Sequence, residues 1–444
     1  MKDVAIWVGV VGVVAGLGVG LGTGTLEIGE IMLVVVLFAA IAALAFRVAD
    51  DVDRAWLPVT IMVGFGVNLI GAGVRYFTLT EVYEGVGDAT AYHDRAIEFN
   101  DSWRAFHVPD LQVGSSGTTF TSKVAALLYA PFEPSQLGGF FIFATVAFVG
   151  QILLYLAFRH ALPRVRARWY SGAVFFLPSL VFWPSSIGKD ALMVLFIGAV
   201  AWGAAHLLSR YRLRWLIVIA AGLAGAGSIR LHVAALFGGA LAVAVLLGAA
   251  PKVKAAQTRR LVLMVASGLA VVLLVSLASA ALGVDVSGED LDPFLDDLQR
   301  RTQQGGSAVD GTAVRSITDM PAALLRVLYR PMLNEATSMQ GRLSAIEGTT
   351  MLVISLLAFP SVVRNIPRMR RHPYLIFCFV VVFGFVIGFS AVFNLGILAR
   401  QRVQALPFLL AILVTMGKGA LAGDDDARQQ VPGNESDQRT VATS

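Results

Sequence analysis

The sequence predicts an all-α integral membrane protein: a polytopic bundle of about 12 transmembrane helices with two large extracytoplasmic loops. Three observations lead there. Of 444 residues, 56% are hydrophobic and only 15% are charged, whereas a soluble domain of this size carries about a quarter charged residues. Apolar stretches, each about long enough to cross a bilayer, recur along the chain. The connectors between them alternate between a short, arginine-rich kind and a longer kind that holds the carboxylates.

In chain order, spans are expected at about 4–22, 28–46, 55–77, 137–158, 171–186, 191–208, 215–229, 232–249, 261–282, 347–363, 374–395 and 403–417. The first begins at Val4 and is followed by no A-x-A-like cleavage site, so it is expected to stay as a helix and not to be removed as a signal peptide. Gly12, Gly16 and Gly20 in the first span, and Gly64, Gly66, Gly71 and Gly73 in the third, fit close helix packing and imply no site. The single cysteine, Cys378, lies in an apolar segment, so no intramolecular disulfide can form.

Four connectors set the orientation. RHALPRVRARW (159–169), SRYRLRW (209–215), PKVKAAQTRR (251–260) and RNIPRMRRHP (364–373) all fall on the same side of the count. Arginine and lysine excess marks the cytoplasmic side. Both termini then lie inside, and residues 1–422 form the membrane domain, followed by a polar tail over 423–444 that reads as disordered. The formal net charge of +5 comes from these short loops, so it argues for membrane topology and not for nucleic acid as a partner.

The outer loops are expected at about 78–136 and 283–346. The first contains helical-looking GDATAYHDRAIEFNDSWRAF (87–106), a turn-rich stretch through Gly114–Gly117, and TSKVAALLYAPF (121–132). That last segment is too short to span and ends at Pro131, so it is expected to lie in the interface or re-enter. The second opens with Glu289, Asp290, Asp292, Asp296 and Asp297 and passes Gly305-Gly306 to reach residues 321–348. The chain has no internal repeat of the kind that marks many transporters.

Charge near a bilayer costs free energy and so marks function. Four places on the outer side carry it: LPSLVFWPSSIGKDALM (177–193), SIRLHVA (228–234), the RPMLNEA turn (330–336) and NLGILARQRVQALPF (394–408). In the first, Pro178 and Pro184 interrupt a span, and Lys189-Asp190 opens the next helix. Free N–H groups with an ammonium make an anion site there, and Asp190 is also suited to capping its own helix. Gly188-Lys189 lacks the spacing and the Ser/Thr of a phosphate-binding P-loop. Arg230 and His232 follow the seventh span. Arg400 and Arg402 open the last one and point to different sides, so one can face a site while the other meets lipid headgroups. In the RPMLNEA turn, Arg330 and Glu335 can pair or can both face the cleft. A phosphate or diphosphate on a lipid would satisfy Lys189, Arg230 and one of Arg400 or Arg402 together.

Carboxylates supply the other half of a transfer reaction. Asp88, just past the third span, is the best-placed general base for an acceptor hydroxyl; His93 and Asp94 are the accompanying acid–base candidates. Asp94 and Glu98 share a helical face, which equally suits a solvated acidic helix. HExxH and Cys/His clusters are absent, so zinc chemistry has no support; no cofactor motif appears, and a carboxylate-bound divalent cation stays open.

GDATAYH, PSLVFWPSSIGKDAL, RPMLNEA and ARQR together resemble bacterial polysaccharide-assembly membrane proteins: the GT-C glycosyltransferase-like proteins that use polyprenyl-phosphate sugars, and oligosaccharide repeat-unit polymerases. The resemblance covers most of the chain from about Asp88 to Leu410. It implies a GT-C-like fold in the bacterial cytoplasmic (inner) membrane, with a polyprenyl-linked sugar as donor and a saccharide or lipid-linked molecule as acceptor. It also implies an acidic base in the first outer loop, which falls on Asp88. The chain differs from that pattern in placing this loop after the third predicted span and in having Asp88-Ala89 where many members have paired acids. The polymerase reading, in which arginines hold a lipid diphosphate, therefore stands beside it, with transport or flipping of such a lipid as the alternative from another class.

Overall fold

The computed structural model describes residues 27–105, 116–131, 134–162, 166–249, 257–265, 314, 316–336 and 338–415, with Gly268 and Arg300, and every regular element among them is helical. In order they are α1 (Ile28–Val48), α2 (Leu57–Phe77), α3 (Asp88–Arg104), α4 (Ser116–Tyr129), α5 (Gln136–Ala161), α6 (Ala167–Phe176), α7 (Pro178–Phe182) and α8 (Lys189–Arg210). Then follow α9 (Trp215–Ile229), α10 (Leu231–Leu247), α11 (Met320–Leu324), α12 (Met339–Asn365), α13 (Pro373–Phe389), α14 (Leu395–Gln401) and α15 (Leu406–Thr415).

Among the described residues, five helices are long and apolar enough to cross a membrane: Ile28–Val48, Leu57–Val82, Gln136–Ala161, Lys189–Ser209 and Gln340–Arg371. A sixth is Leu395–Gln404 with Leu406–Thr415, bent by 59°, if that pair counts as one span. This is fewer than the twelve expected, for identifiable reasons. The spans expected at 215–229, 232–249 and 374–395 form as α9, α10 and α13, of 15, 17 and 17 residues. At 1.5 Å per residue the shortest covers about 22 Å, less than the ~30 Å hydrocarbon core. The span expected at 171–186 is broken into α6 and α7, because Pro178 has no N–H to continue the ladder and restricts Leu177 to extended backbone. The spans at 4–22 and most of 261–282, the acidic stretch at 289–297, Gly305-Gly306, and the tail 423–444 lie outside the described residues.

The central contact is α5 against α8. A Cβ on Gly198 would stand 2.4 Å from the Gly150 carbonyl oxygen, and one on Gly150 would stand 2.5 Å from that of Val194. Only glycine allows backbones this close. In α2, Gly64 and Gly71 press against Phe175 and Val181, whereas Gly66 and Gly73 meet little or nothing, so half of the expected packing glycines act as such.

Breaking a span inside apolar surroundings frees backbone carbonyls that must find partners. Here they do. Gln151 of α5 donates to the Leu180 carbonyl at 2.8 Å, Asn68 of α2 donates to Gln151 at 3.4 Å, and Ser185 donates to Asn68 at 3.2 Å. Glu347 of α12 accepts from the Ser179 N–H at 2.6 Å.

The arginine-rich connectors gather at one end. His160 stacks on His206 with centroids 3.7 Å apart, Arg159 pairs with Asp53 at 3.2 Å, and the Ala249 N–H donates to the Arg370 carbonyl at 2.7 Å. The start of α8, the α9–α10 junction and the last turn of α14 meet at the other end. There α3 and α4 form a cap. The segment 121–132, expected in the interface or re-entrant, runs within α4 as far as Tyr129. That helix docks on α9 through Gly117, where a Cβ would lie 2.7 Å from the Ile229 carbonyl oxygen, and on α8 through Phe120–Phe196.

Candidate functional site

Asp190, in the first turn of α8, is the hub of this end. Its side chain is 3% exposed, yet both oxygens are occupied: Arg230 donates to Oδ1 at 3.0 Å, and Arg400 donates from Nε to Oδ2. A carboxylate can stay ionised in such a place only with charged donors on it. Arg230 is delivered by the one-residue break between α9 and α10, Arg400 by α14. Asp190 makes no side-chain cap to its own helix, so the capping role is replaced by this double ion pair. It is therefore a positioning group: it lies outside the cavity lining and holds an arginine on each oxygen.

Beyond Arg400 lies a cavity of about 520 Å³, lined among others by Arg75, Asp88, Trp183, Ser186, Arg330, Glu335 and Arg400. Asp88 sits in the first turn of α3, 70% exposed at its side chain, with Oδ2 3.7 Å from Arg400 Nη1. Arg330 and Glu335 both face the cavity and also pair with each other in bidentate fashion, at 3.0 Å for Nε–Oε2 and 2.5 Å for Nη2–Oε1. The Met332 N–H adds a bond to Glu335 at 2.8 Å. The hydrogen bond from Arg330 holds the Glu335 carboxyl below its ordinary range, against the opposing pull of partial burial.

Seven expected site residues do not line the cavity: Asp190 and Arg230 form the hub behind Arg400, and five others point elsewhere. His93 lies between α3 and α4, its Nδ1 3.3 Å from the Tyr129 hydroxyl. Asp94 is exposed on the outer face of α3. Helical geometry explains both: five and six residues past Asp88, they are turned from it by about 140° and 240°. Lys189 donates to Thr118 of α4 at 3.1 Å, which ties its ammonium to the cap, outside the cavity lining. His232 packs its ring on Phe389, with centroids 5.8 Å apart.

Arg402 is the clearest correction. It was expected either to face the site or to meet lipid headgroups, and it does neither. It is 1% exposed, paired with Glu347 at 3.4 Å, and it donates to the carbonyls of Leu328, Arg330 and Ser344. Two residues from Arg400, it is turned by about 200° into the protein. It holds the backbone of the RPMLNEA turn in place. The Arg402–Glu347 pair carries this bracket across to α7 through the Ser179 N–H.

Sequence reasoning missed Arg75. Near the end of α2, it lines the cavity with its guanidinium over the rings of Phe182 and Trp183, at 5.0 and 5.1 Å from their centroids. The signal was present: a lone charge near an apolar helix end, on the same side as the four places already singled out. Among the described residues no three His, Cys, Asp or Glu side chains gather closely enough to hold a metal ion. The site is thus an arginine-rich pocket with one exposed carboxylate, suited to holding an anion beside a proton acceptor. Searches against protein families, curated proteins and solved structures find no match for this chain.

Proposed function

We propose that the chain is an integral-membrane glycosyltransferase of bacterial polysaccharide or cell-envelope assembly. It takes a sugar from a polyprenyl-(di)phosphate carrier and passes it to a saccharide or lipid-linked acceptor. One observation carries the reading: Asp88, Arg330, Glu335 and Arg400, scattered over some three hundred positions of sequence, line one cavity. That cavity lies at the end opposite the arginine-rich connectors, so the positive-inside rule turns it away from the cytoplasm. No ATP or nucleotide-sugar is present on that side, which leaves lipid-linked donors.

In this scheme the acceptor hydroxyl oxygen attacks the anomeric carbon, and its proton passes to Asp88. The bond from the anomeric carbon to the phosphate oxygen breaks, and the electron pair stays on the lipid phosphate. Arg400 and Arg330, preset by Asp190 and Glu335, stabilise the charge that develops there. Preset cations need no reorganisation as the bond breaks, and this is the benefit of tying them to carboxylates.

The test is Asp88→Asn in purified protein supplied with a polyprenyl-phosphate sugar and an acceptor. Turnover should fall by about 10²–10⁴-fold while the unfolding midpoint in detergent is unchanged. Turnover kept at the wild-type rate removes Asp88 as base.

The repeat-unit polymerase reading draws on the arginine content of the cavity, which also suits a diphosphate. Transfer from diphosphate-linked but not monophosphate-linked donors would favour it. Transport has less support, because the charged groups of the cavity gather at one end of the bundle, and the polar residues deeper in it, Asn68 and Gln151, are bonded to each other and to the broken segment.

A further inference from the structure

Four arginines belong to the site, and they differ in one respect. Arg230 and Arg400 share Asp190, and Arg330 has Glu335. Arg75 has no carboxylate partner and no side-chain hydrogen bond among the described residues; its Nε is buried without an acceptor. Its guanidinium, in contact with no carboxylate, therefore keeps hydrogen-bonding capacity that the protein does not use.

The local sequence holds it in position. Gly71 lies one turn before Arg75 on the same face of α2. A Cβ at Gly71 would stand 2.7 Å from Val181 Cγ1 and 2.9 Å from the Val181 carbonyl oxygen. Only glycine lets α2 touch α7 this closely, and the contact brings Arg75 over Phe182 and Trp183. Cation–π contact with the two rings holds the guanidinium there and leaves its N–H donors free for a ligand. The broken span therefore has a use: it brings two aromatic rings under one cation, with Trp183 also lining the cavity.

We infer that Arg75 is the principal phosphate-binding residue of the cavity: its free guanidinium edge takes the phosphoryl headgroup of a lipid in a bidentate contact, while Arg400 and Arg330 contribute from the far wall. This deepens the transferase reading and rests on it for the choice of a lipid-borne phosphate. The binding of phosphate, however, is measured separately from sugar transfer.

The experiment uses the full-length protein in nanodiscs with four probes: farnesyl phosphate, farnesyl diphosphate, farnesol and inorganic phosphate. Wild type should bind both farnesyl phosphates and discriminate against farnesol. Arg75→Gln should weaken binding of the phosphates by about tenfold or more, the size of a hydrogen-bonded charge contact, and leave farnesol unchanged. Should that variant prove unstable, Arg75→Lys decides in its place: it keeps the charge but not the fork, and about a threefold loss is expected. Equal affinity of variant and wild type for both phosphates overturns the assignment, as does failure of wild type to prefer phosphates over farnesol. Inorganic phosphate bound as tightly as the farnesyl probes overturns its lipid part. Arg75-dependent phosphate binding without any sugar transfer leaves the site standing and removes the transferase. Transfer that survives Arg75→Gln at the wild-type rate and apparent affinity does the reverse.

Discussion

The two ends of the bundle use arginine in opposite ways. At the connector end, Arg260 donates to the carbonyls of Val245, Leu246 and Gly248, closing the last turn of α10, and Arg54 meets Asp51 in an ion pair whose carboxylate side chain is 99% exposed. Arginines there finish helices and mark topology. At the site end the same residue type is drawn inward onto buried carboxylates, Asp190 and Glu347. The connector end has a buried pair of its own, Arg159 on Asp53, so the lesson is narrower: arginine content says which side is which, whereas buried carboxylates that fix arginines around a cavity mark the site end.

The largest effect should come from breaking the hub. Asp190→Ala strands two arginines and should lower stability by about 3–5 kcal/mol, the usual result of removing one partner of a buried pair. Asp51→Ala at the other end should leave the unfolding midpoint where it is; equal shifts in the two variants would abolish the contrast. Glu347→Ala orphans Arg402 and should cost about 3 kcal/mol. It should also raise the KM for donor, because the Arg330 backbone loses its bracket; a KM held constant would show that the turn stands without it.

Next in size is Gly71→Val, which forces α2 away from Val181 and should destabilise by about 1–3 kcal/mol. Gly73→Val, on the open side of the same helix, is the control and should be near neutral. The smallest effect concerns pH. Glu335 has its carboxyl lowered in the folded state, so the Arg330–Glu335 pair contributes stability above the unfolded value of about 4.3. That contribution is lost as pH falls through the lower folded value. The contribution should be under about 1 kcal/mol for so accessible a pair. It is measured as the difference in acid unfolding between wild type and Glu335→Gln; identical acid limbs would show that the pair contributes nothing.

Much of this was legible in the sequence, and the rest failed for definite reasons. Hydropathy located the helices that form the described core, and alternation of connectors sorted their ends. Depth and side of a charge located Asp88, Asp190, Arg230, Arg330, Glu335 and Arg400 together. What hydropathy cannot do is tell a crossing helix from a buried half-helix, since both are apolar on every side; hence α6, α7 and α9 were counted as spans. Nor does it see rotation within a short helix. Asp94 and Arg402 were selected by proximity along the chain, and about 100° per residue carried each to the wrong face. Asn68 and Gln151, polar residues deep in two spans, were passed over although intramembrane polarity was itself the criterion. Their work is to satisfy the broken segment, which only the fold reveals.

One consequence remains in α14. Its C-terminal end is gripped from two sides, by Asp190 through Arg400 and by Glu347 through Arg402, the residue just past the helix. Leu395, Gly396, Ala399 and Arg400 line the chamber, so that wall is moored by ionic joints and not by apolar packing alone. A headgroup too bulky for that chamber would have to unseat an ionic joint to get in, so size exclusion here is enforced by electrostatics.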